Sequence, residues 1–191
     1  MDYKETITKE ELNECPTRHF EGDIIVVNSE DEVDDAVNYL SQFKYLGFDT
    51  ETRPSFKKGE IHKVALLQLS TNEKAFLFKL SQFDLTKSLL KLLSDPGIVK
   101  AGAAIRDDIK VLQINRNFKP GGFVELQDVA LKMGLNSFSL KKMSAIVLGF
   151  KISKAQQLSN WEAPELTEAQ MIYAATDAWI SYKLYEQFIQ E

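Results

Sequence analysis

The 191-residue sequence has one cysteine, Cys15, so no disulfide can close within the chain, and that usage suits a reducing compartment. The cytoplasm is the expected location. No apolar run approaches the length of a bilayer span, and no membrane association is expected. The charged stretch Met1 to Glu14 has no apolar core ahead of a small-residue cleavage site, which excludes a secretory signal. Histidine is nearly absent too: His19 and His62 show no metal-ligand spacing, so thiolate and imidazole metal centres are excluded. There is no glycine-rich phosphate loop and no GxSxG elbow. Basic residues are the minority, 23 against 28 acids, for a formal charge of -5. That balance argues against a nucleic-acid partner held by Lys and Arg alone. Two bound divalent cations would bring -5 to -1 and place positive charge where a phosphodiester must sit.

What is present is an ordinary globular composition, 44% hydrophobic and 27% charged, with no internal repeat. A helical N-terminal extension over 1–20 and a single domain over 21–191 are expected, with no second domain. Ile24 to Val27 reads as a strand, and Ser29 with Glu32 has capping-box spacing ahead of a helix carrying Val33, Val37 and Leu40. Tyr45 to Glu51, Lys63 to Ser70 and Ala75 to Phe78 read as three adjacent antiparallel strands. The pattern then alternates: a helix over Leu85 to Leu93, a strand over Ile98 to Ala101, a helix from about Arg106, and a loop at Pro120-Gly121-Gly122. A helix over Ser139 to Leu148, a lysine-bearing loop through Trp161 and a final helix opened by Thr167 complete the chain. The expected class is α/β, a mixed sheet of five to six strands flanked by helices.

Acidic residues carry the chemistry. Asp49 and Glu51 are two apart in an extended segment, so their side chains leave one face about 6.6 Å apart along the strand, while Leu46 and Phe48 take the other. On the final helix Tyr173, Asp177, Ile180, Leu184 and Phe188 share one stripe, which sets Asp177 on the apolar face. An ionised carboxylate there must be protonated, hydrogen-bonded or bound to a cation. Asp108 lies at the edge of the stripe formed by Ile105, Ile109 and Leu112, whereas Asp107 points to solvent near Lys110. Lys57, Lys58, Lys63, Lys141, Lys142, Lys151 and Lys154 occupy loops or helix starts, from which some can contact phosphates. Trp161, Phe56 and Phe138 are candidate stacking surfaces for bases, and Thr50, Trp161 and Lys142 are the expected substrate contacts.

These segments resemble the DEDDy 3′-5′ exonucleases, the family of ribonuclease D and the Werner-syndrome exonuclease domain. The first motif is Phe48-Asp49-Thr50-Glu51-Thr52, the second runs from Lys100-Ala101-Gly102 through Asp108, and the third is Tyr173-Ala174-Ala175-Thr176-Asp177-Ala178. Likeness to the Werner branch lies in Ser139-Leu140, Leu148-Gly149, Asn160-Trp161 and Leu166-Thr167 with Gln170. The resemblance implies an RNase H-like fold in which Asp49, Glu51 and Asp177 bind one metal and Asp49 contacts a second. Asp108 supports the site from the second shell or at the second metal, and Tyr173 positions the attacking water. It implies two divalent cations, Mg²⁺ or Mn²⁺, and cleavage of nucleic acid, DNA before RNA, from a free 3′ end to nucleoside 5′-monophosphates. Two cations about 4 Å apart serve such chemistry by activating water and neutralising the leaving oxyanion. The competing readings are a catalytically silent nucleic-acid-binding module of the same fold and a mononucleotide phosphatase.

Overall fold

Six strands form one mixed sheet in the computed structural model, which describes residues 3–54 and 62–190. They are β1 Asp23–Val27, β2 Tyr45–Thr52, β3 Val64–Ser70, β4 Lys74–Phe78, β5 Val99–Gly102 and β6 Phe123–Glu125, in the spatial order β1-β4-β3-β2-β5-β6. The expected antiparallel trio is β2, β3 and β4, while β1 joins β4, β5 joins β2 and β6 joins β5 in parallel. β3 is buried at every position because helices cover both faces of the sheet, so it reads as a continuous apolar run instead of an alternating one.

The described residues form seven α-helices: α1 Lys9–Glu14, α2 Val33–Leu40, α3 Lys87–Ser94, α4 Ile105–Asn115, α5 Leu126–Lys132, α6 Leu140–Leu148 and α7 Glu168–Phe188. On one face α2, α3 and α4 pack on Leu46 and Phe48 of β2 through Leu40, Leu89, Leu93, Ile105 and Leu112. On the other lies α7, whose Ile180, Leu184 and Phe188 share a core with Leu126 and Met143, and whose Tyr173 and Ala174 pack against Leu66 and Trp161. Among the described residues no helix is long and apolar enough to cross a membrane.

Local signals account for most boundaries. The Ser29–Glu32 box first closes a 3-10 turn over Glu30–Glu32, and α2 begins only at Val33. Thr86 caps α3 by accepting from the Leu89 amide, which moves the start two residues past Leu85. Thr167 and Gln170 form a reciprocal capping box on α7, and Gly149 ends α6 at φ 76°. Two elements lie outside the sequence expectation, β6 and α5: β6 has three half-buried residues, too short for a period to show, and α5 is capped by Glu125, an uncommon residue at that position, accepting from the Gln127 amide.

Close approach of α7 to β2 sets the site. A Cβ on Gly47 would lie 1.8 Å from the Ala178 carbonyl oxygen, so only glycine lets the two backbones meet there. Ala174, Ala175 and Ala178 keep the same stretch of α7 slim. Gly47, Asp49 and Glu51 alternate toward this face, and Asp177 sits one residue before the point of contact.

Candidate active site

The C-terminal half of β2 and the middle of α7 bring Asp49, Glu51 and Asp177 together, with one carboxylate oxygen from each lying within 4.8 Å of the others. They share a cavity of about 220 Å³ with Thr50, Ala103, Leu140, Ile152, Lys154, Gln157, Tyr173 and Ser181. Asp177 is only 8% exposed, and its Oδ1 has no hydrogen-bond partner among the described residues. Such an atom is costly to bury unless a ligand completes it.

Electrostatics agree with the geometry. Burial, and then the charges of Asp177, Glu51 and Asp108, hold the Asp49 carboxyl well above the usual carboxylate range. Burial with the neighbouring Asp177 and Asp108 pushes Glu51 up to about 9. Burial lifts Asp177 to about 7, against the pull of Tyr173 and Lys154, which favour its ionised form. Tyr173 is raised too, first by burial and then by the Asp177 and Glu51 charges, so its phenol keeps its proton at neutral pH.

Asp108 reaches this site from the opposite layer. Thr50 points to the α4 face of β2 and donates its hydroxyl to Asp108 Oδ1 at 2.7 Å. That explains why Asp108 stands outside the tight trio while its charge still acts on Asp49 and Glu51. Burial raises the Asp108 carboxyl, and the Thr50 hydrogen bond opposes the rise. The helix that carries Asp108 starts from Ala104 at φ 63°, an unfavourable left-handed residue with no side-chain cap. Glu125 supplies the missing cap from β6, accepting from the Ala104 and Ile105 amides, both at 2.8 Å. Asp107 is exposed and paired with Lys110 at 2.8 Å, as the helical rotation requires.

Of the three expected substrate contacts, Trp161 needs correction, while Thr50 lines the cavity and Lys142 lies outside its wall. Trp161 is fully buried with its ring 5.9 Å from that of Tyr173, so it packs the wall of the site and offers no face to a base. Thr50 is 8% exposed and commits its hydroxyl to Asp108. Lys142 is exposed on the first turn of α6 and is not part of the cavity wall, whereas Lys154 is. Phe138 is half-buried against the core beneath α5 and α6. Phe56, Lys57 and Lys58 lie outside the described residues. Lys154 and Gln157 are the residues that sequence reasoning left undistinguished, because a polar side chain in an aperiodic loop carries no sign of what it faces.

A divalent metal fits this donor set. All candidate ligand atoms are hard carboxylate oxygens, no thiol or imidazole lines the cavity, and Asp177 Oδ1 lacks a partner.

The profile of the 3′-5′ exonuclease family matches residues 24–191. The mouse bifunctional 3′-5′ exonuclease/ATP-dependent helicase WRN is 38% identical over 155 residues, which are 78% of this chain and 11% of that protein. A fruit-fly exonuclease 3′-5′ domain-containing protein 2 is 31% identical over 158 residues, 81% of this chain and 27% of its own length. The chain thus spans a minor part of these relatives. Among solved structures, the Aedes aegypti Nibbler EXO domain superposes with a TM-score of 0.81 at 22% identity, covering 91% of this chain and 92% of the other. The six-stranded α/β sheet is of the RNase H-like type seen in such domains. A manganese-soaked EXD2 exonuclease domain aligns at 30% identity with a TM-score of 0.52, covering 87% of this chain and 88% of that one.

Proposed function

The chain belongs to the 3′-5′ exonuclease family, and from that premise we propose that it hydrolyses nucleic acid from a free 3′ end, releasing nucleoside 5′-monophosphates with two divalent cations. The observation that carries this reading is the convergence of Asp49, Glu51 and Asp177 around the unpartnered Asp177 Oδ1. The charges of Asp177 and Asp108 add to burial in raising Asp49 and Glu51, a cost that a purely binding module has no reason to bear.

Asp49, Glu51 and Asp177 would hold one cation, and Asp49, with Asp108 beside it, the second. When bound, Mg²⁺ or Mn²⁺ supplies Lewis-acid activation of water and neutralises charge on the phosphodiester. The Mn²⁺ soak of the EXD2 domain supports manganese as one workable ion. Asp108 keeps its orientation through Thr50 and through the Glu125-capped start of α4. Tyr173 stays protonated and its hydroxyl hydrogen-bonds Asp177 in the metal-free chain; with Asp177 held by a cation, that hydroxyl can turn to orient the attacking water. Gly47 fixes the separation between the β2 and α7 ligands. Leu140 and Ile152 line the same cavity and give the terminal nucleotide an apolar wall.

We favour DNA over RNA on the resemblance of residues 139–170 to the Werner branch. The test incubates the protein with Mg²⁺ or Mn²⁺ and 5′-labelled DNA and RNA oligonucleotides side by side. Ladder shortening from the 3′ end with 5′-monophosphate products supports the reading. Release of inorganic phosphate from mononucleotides, with intact oligonucleotides, would replace it with a phosphatase.

A further inference from the structure

Among the described residues the cavity wall holds one basic side chain, Lys154, which shares that wall with three carboxylates. A lysine so placed ordinarily neutralises an acid. Here it forms no ion pair: Asp177 Oδ1 has no partner, and among the described residues no acid pairs with the Lys154 ammonium. Lys154 is exposed, and its charge reaches Asp177 through space. Once cations satisfy the carboxylates, the anion left for this ammonium is the strand itself.

The backbone around Lys154 is pinned at both ends. The Gln157 amide closes a turn on the Lys154 carbonyl at 3.4 Å, which sets both side chains on the cavity. Upstream, Lys151 Nζ donates to the Leu12 and Asn13 carbonyls at 3.1 and 2.6 Å, in the last turn of α1, which has no basic residue of its own there. The Lys151 backbone also exchanges hydrogen bonds with Pro16 and Arg18, at 2.9 and 3.0 Å, around a parallel bridge at Thr17. Downstream, Trp161 is buried, Gln170 Nε2 donates to the Asn160 carbonyl at 3.2 Å, and buried Lys79 donates to the Ala163 carbonyl at 2.7 Å and to that of Pro164. A short loop held this firmly keeps a flexible side chain aimed.

We propose that Lys154 is a catalytic residue that binds a phosphate oxygen of the nucleic-acid strand, and that Lys151 is its positioning residue, strapping the loop to α1. The proposal rests on the nuclease reading above. Lysine suits the task as a mobile point charge able to follow a phosphate through the reaction. The strap gives the N-terminal segment a part in catalysis although it lies outside the carboxylate cavity.

The test uses the full chain, Mn²⁺ and a 5′-labelled single-stranded oligonucleotide across a salt series. Lys154→Gln should lower kcat/KM by about 10- to 100-fold and make the log–log salt slope shallower by about 0.7, as expected for one lost phosphate contact to a single strand. Lys154→Arg should recover most of the loss. Lys151→Met should lower kcat/KM in the wild-type background and have little further effect beside Lys154→Gln, since a positioning residue acts through the group it positions. Wild-type rates for Lys154→Gln, or a loss with an unchanged salt slope, would overturn the phosphate contact. Additive losses in the double variant would overturn the strap. A wild-type protein that shortens no strand, or an Asp49→Ala variant that still does, would instead reject the nuclease reading.

Discussion

Lys100 and the carboxylate cluster both bury charge, and they do it in opposite ways. Lys100 on β5 is fully buried, and its ammonium donates to the carbonyls of Leu92, Asp95 and Ile98 at 3.0, 2.7 and 2.7 Å. Every proton has an acceptor, the end of α3 is capped, and nothing is left to bind. At the end of β2 and the middle of α7, three carboxylates are gathered with like charges adjacent and one oxygen unpartnered. A closed arrangement of charge is a structural fastener, whereas an open one is a site awaiting a counter-ion. The contrast predicts that substitutions in the two places will separate stability from activity.

The largest effect is expected at the open cluster. Asp49→Ala should lower the rate of strand shortening by at least about a thousandfold, while the metal-free melting temperature holds or rises because repulsion is relieved. Thermal unfolding beside the activity assay checks both halves, and a large loss of stability would erase the contrast. The mirror experiment is Lys100→Met, which strands three buried carbonyls and should cost about 3 kcal/mol by denaturant unfolding, with activity kept in the folded fraction. Within the open cluster, Tyr173→Phe should slow turnover on the order of tens- to a hundredfold without changing Mn²⁺ affinity, since the phenol is assigned to the water. Equal single-turnover rates would remove Tyr173 from that role.

The open cluster also has a pH signature. Glu51 rises from 4.5 to about 9 and Asp177 from 3.8 to about 7, so between those limits the metal-free folded chain retains protons that the unfolded chain has released. Metal-free stability is therefore undiminished below about pH 4, falls as pH rises, and has lost its full increment by about pH 9. Mg²⁺ or Mn²⁺ should raise the melting temperature more at about pH 8.5 than at about pH 5, because metal competes with protons for the same oxygens. Equal metal stabilisation at both values would contradict the raised carboxyls. The smallest effect is at the cap that aims Asp108: Glu125→Gln should cost about 1 kcal/mol of stability, together with a modest loss of rate.

The open cluster was legible in the sequence because its members sit where periodicity is strongest. Alternation in β2 separates Asp49 and Glu51 from Leu46 and Phe48, and the stripe of α7 places Asp177 among Ile180, Leu184 and Phe188. The same rotation distinguishes Asp108 from Asp107. What stayed hidden depends on partners distant in the chain. Ala104 gives no sign of a helix start because its cap, Glu125, arrives 21 residues later from a three-residue strand. Trp161 looks like a stacking surface until α7 closes over it, and Lys154 resembles Lys142 until the strap at Lys151 turns one toward the carboxylates and leaves the other on α6. Local pattern reveals which face a residue takes; it does not reveal what the fold brings opposite that face.

The central claim is that Asp49, Glu51 and Asp177 are gathered without a protein ion pair to satisfy them so that divalent cations can join them. Manganese anomalous scattering from crystals soaked at neutral pH tests this most directly. The account predicts strong peaks in contact with the carboxylate oxygens of all three residues, lost on Asp177→Asn. Three ordered carboxylates with no manganese between them, in a protein that still degrades DNA from its 3′ end, would contradict it.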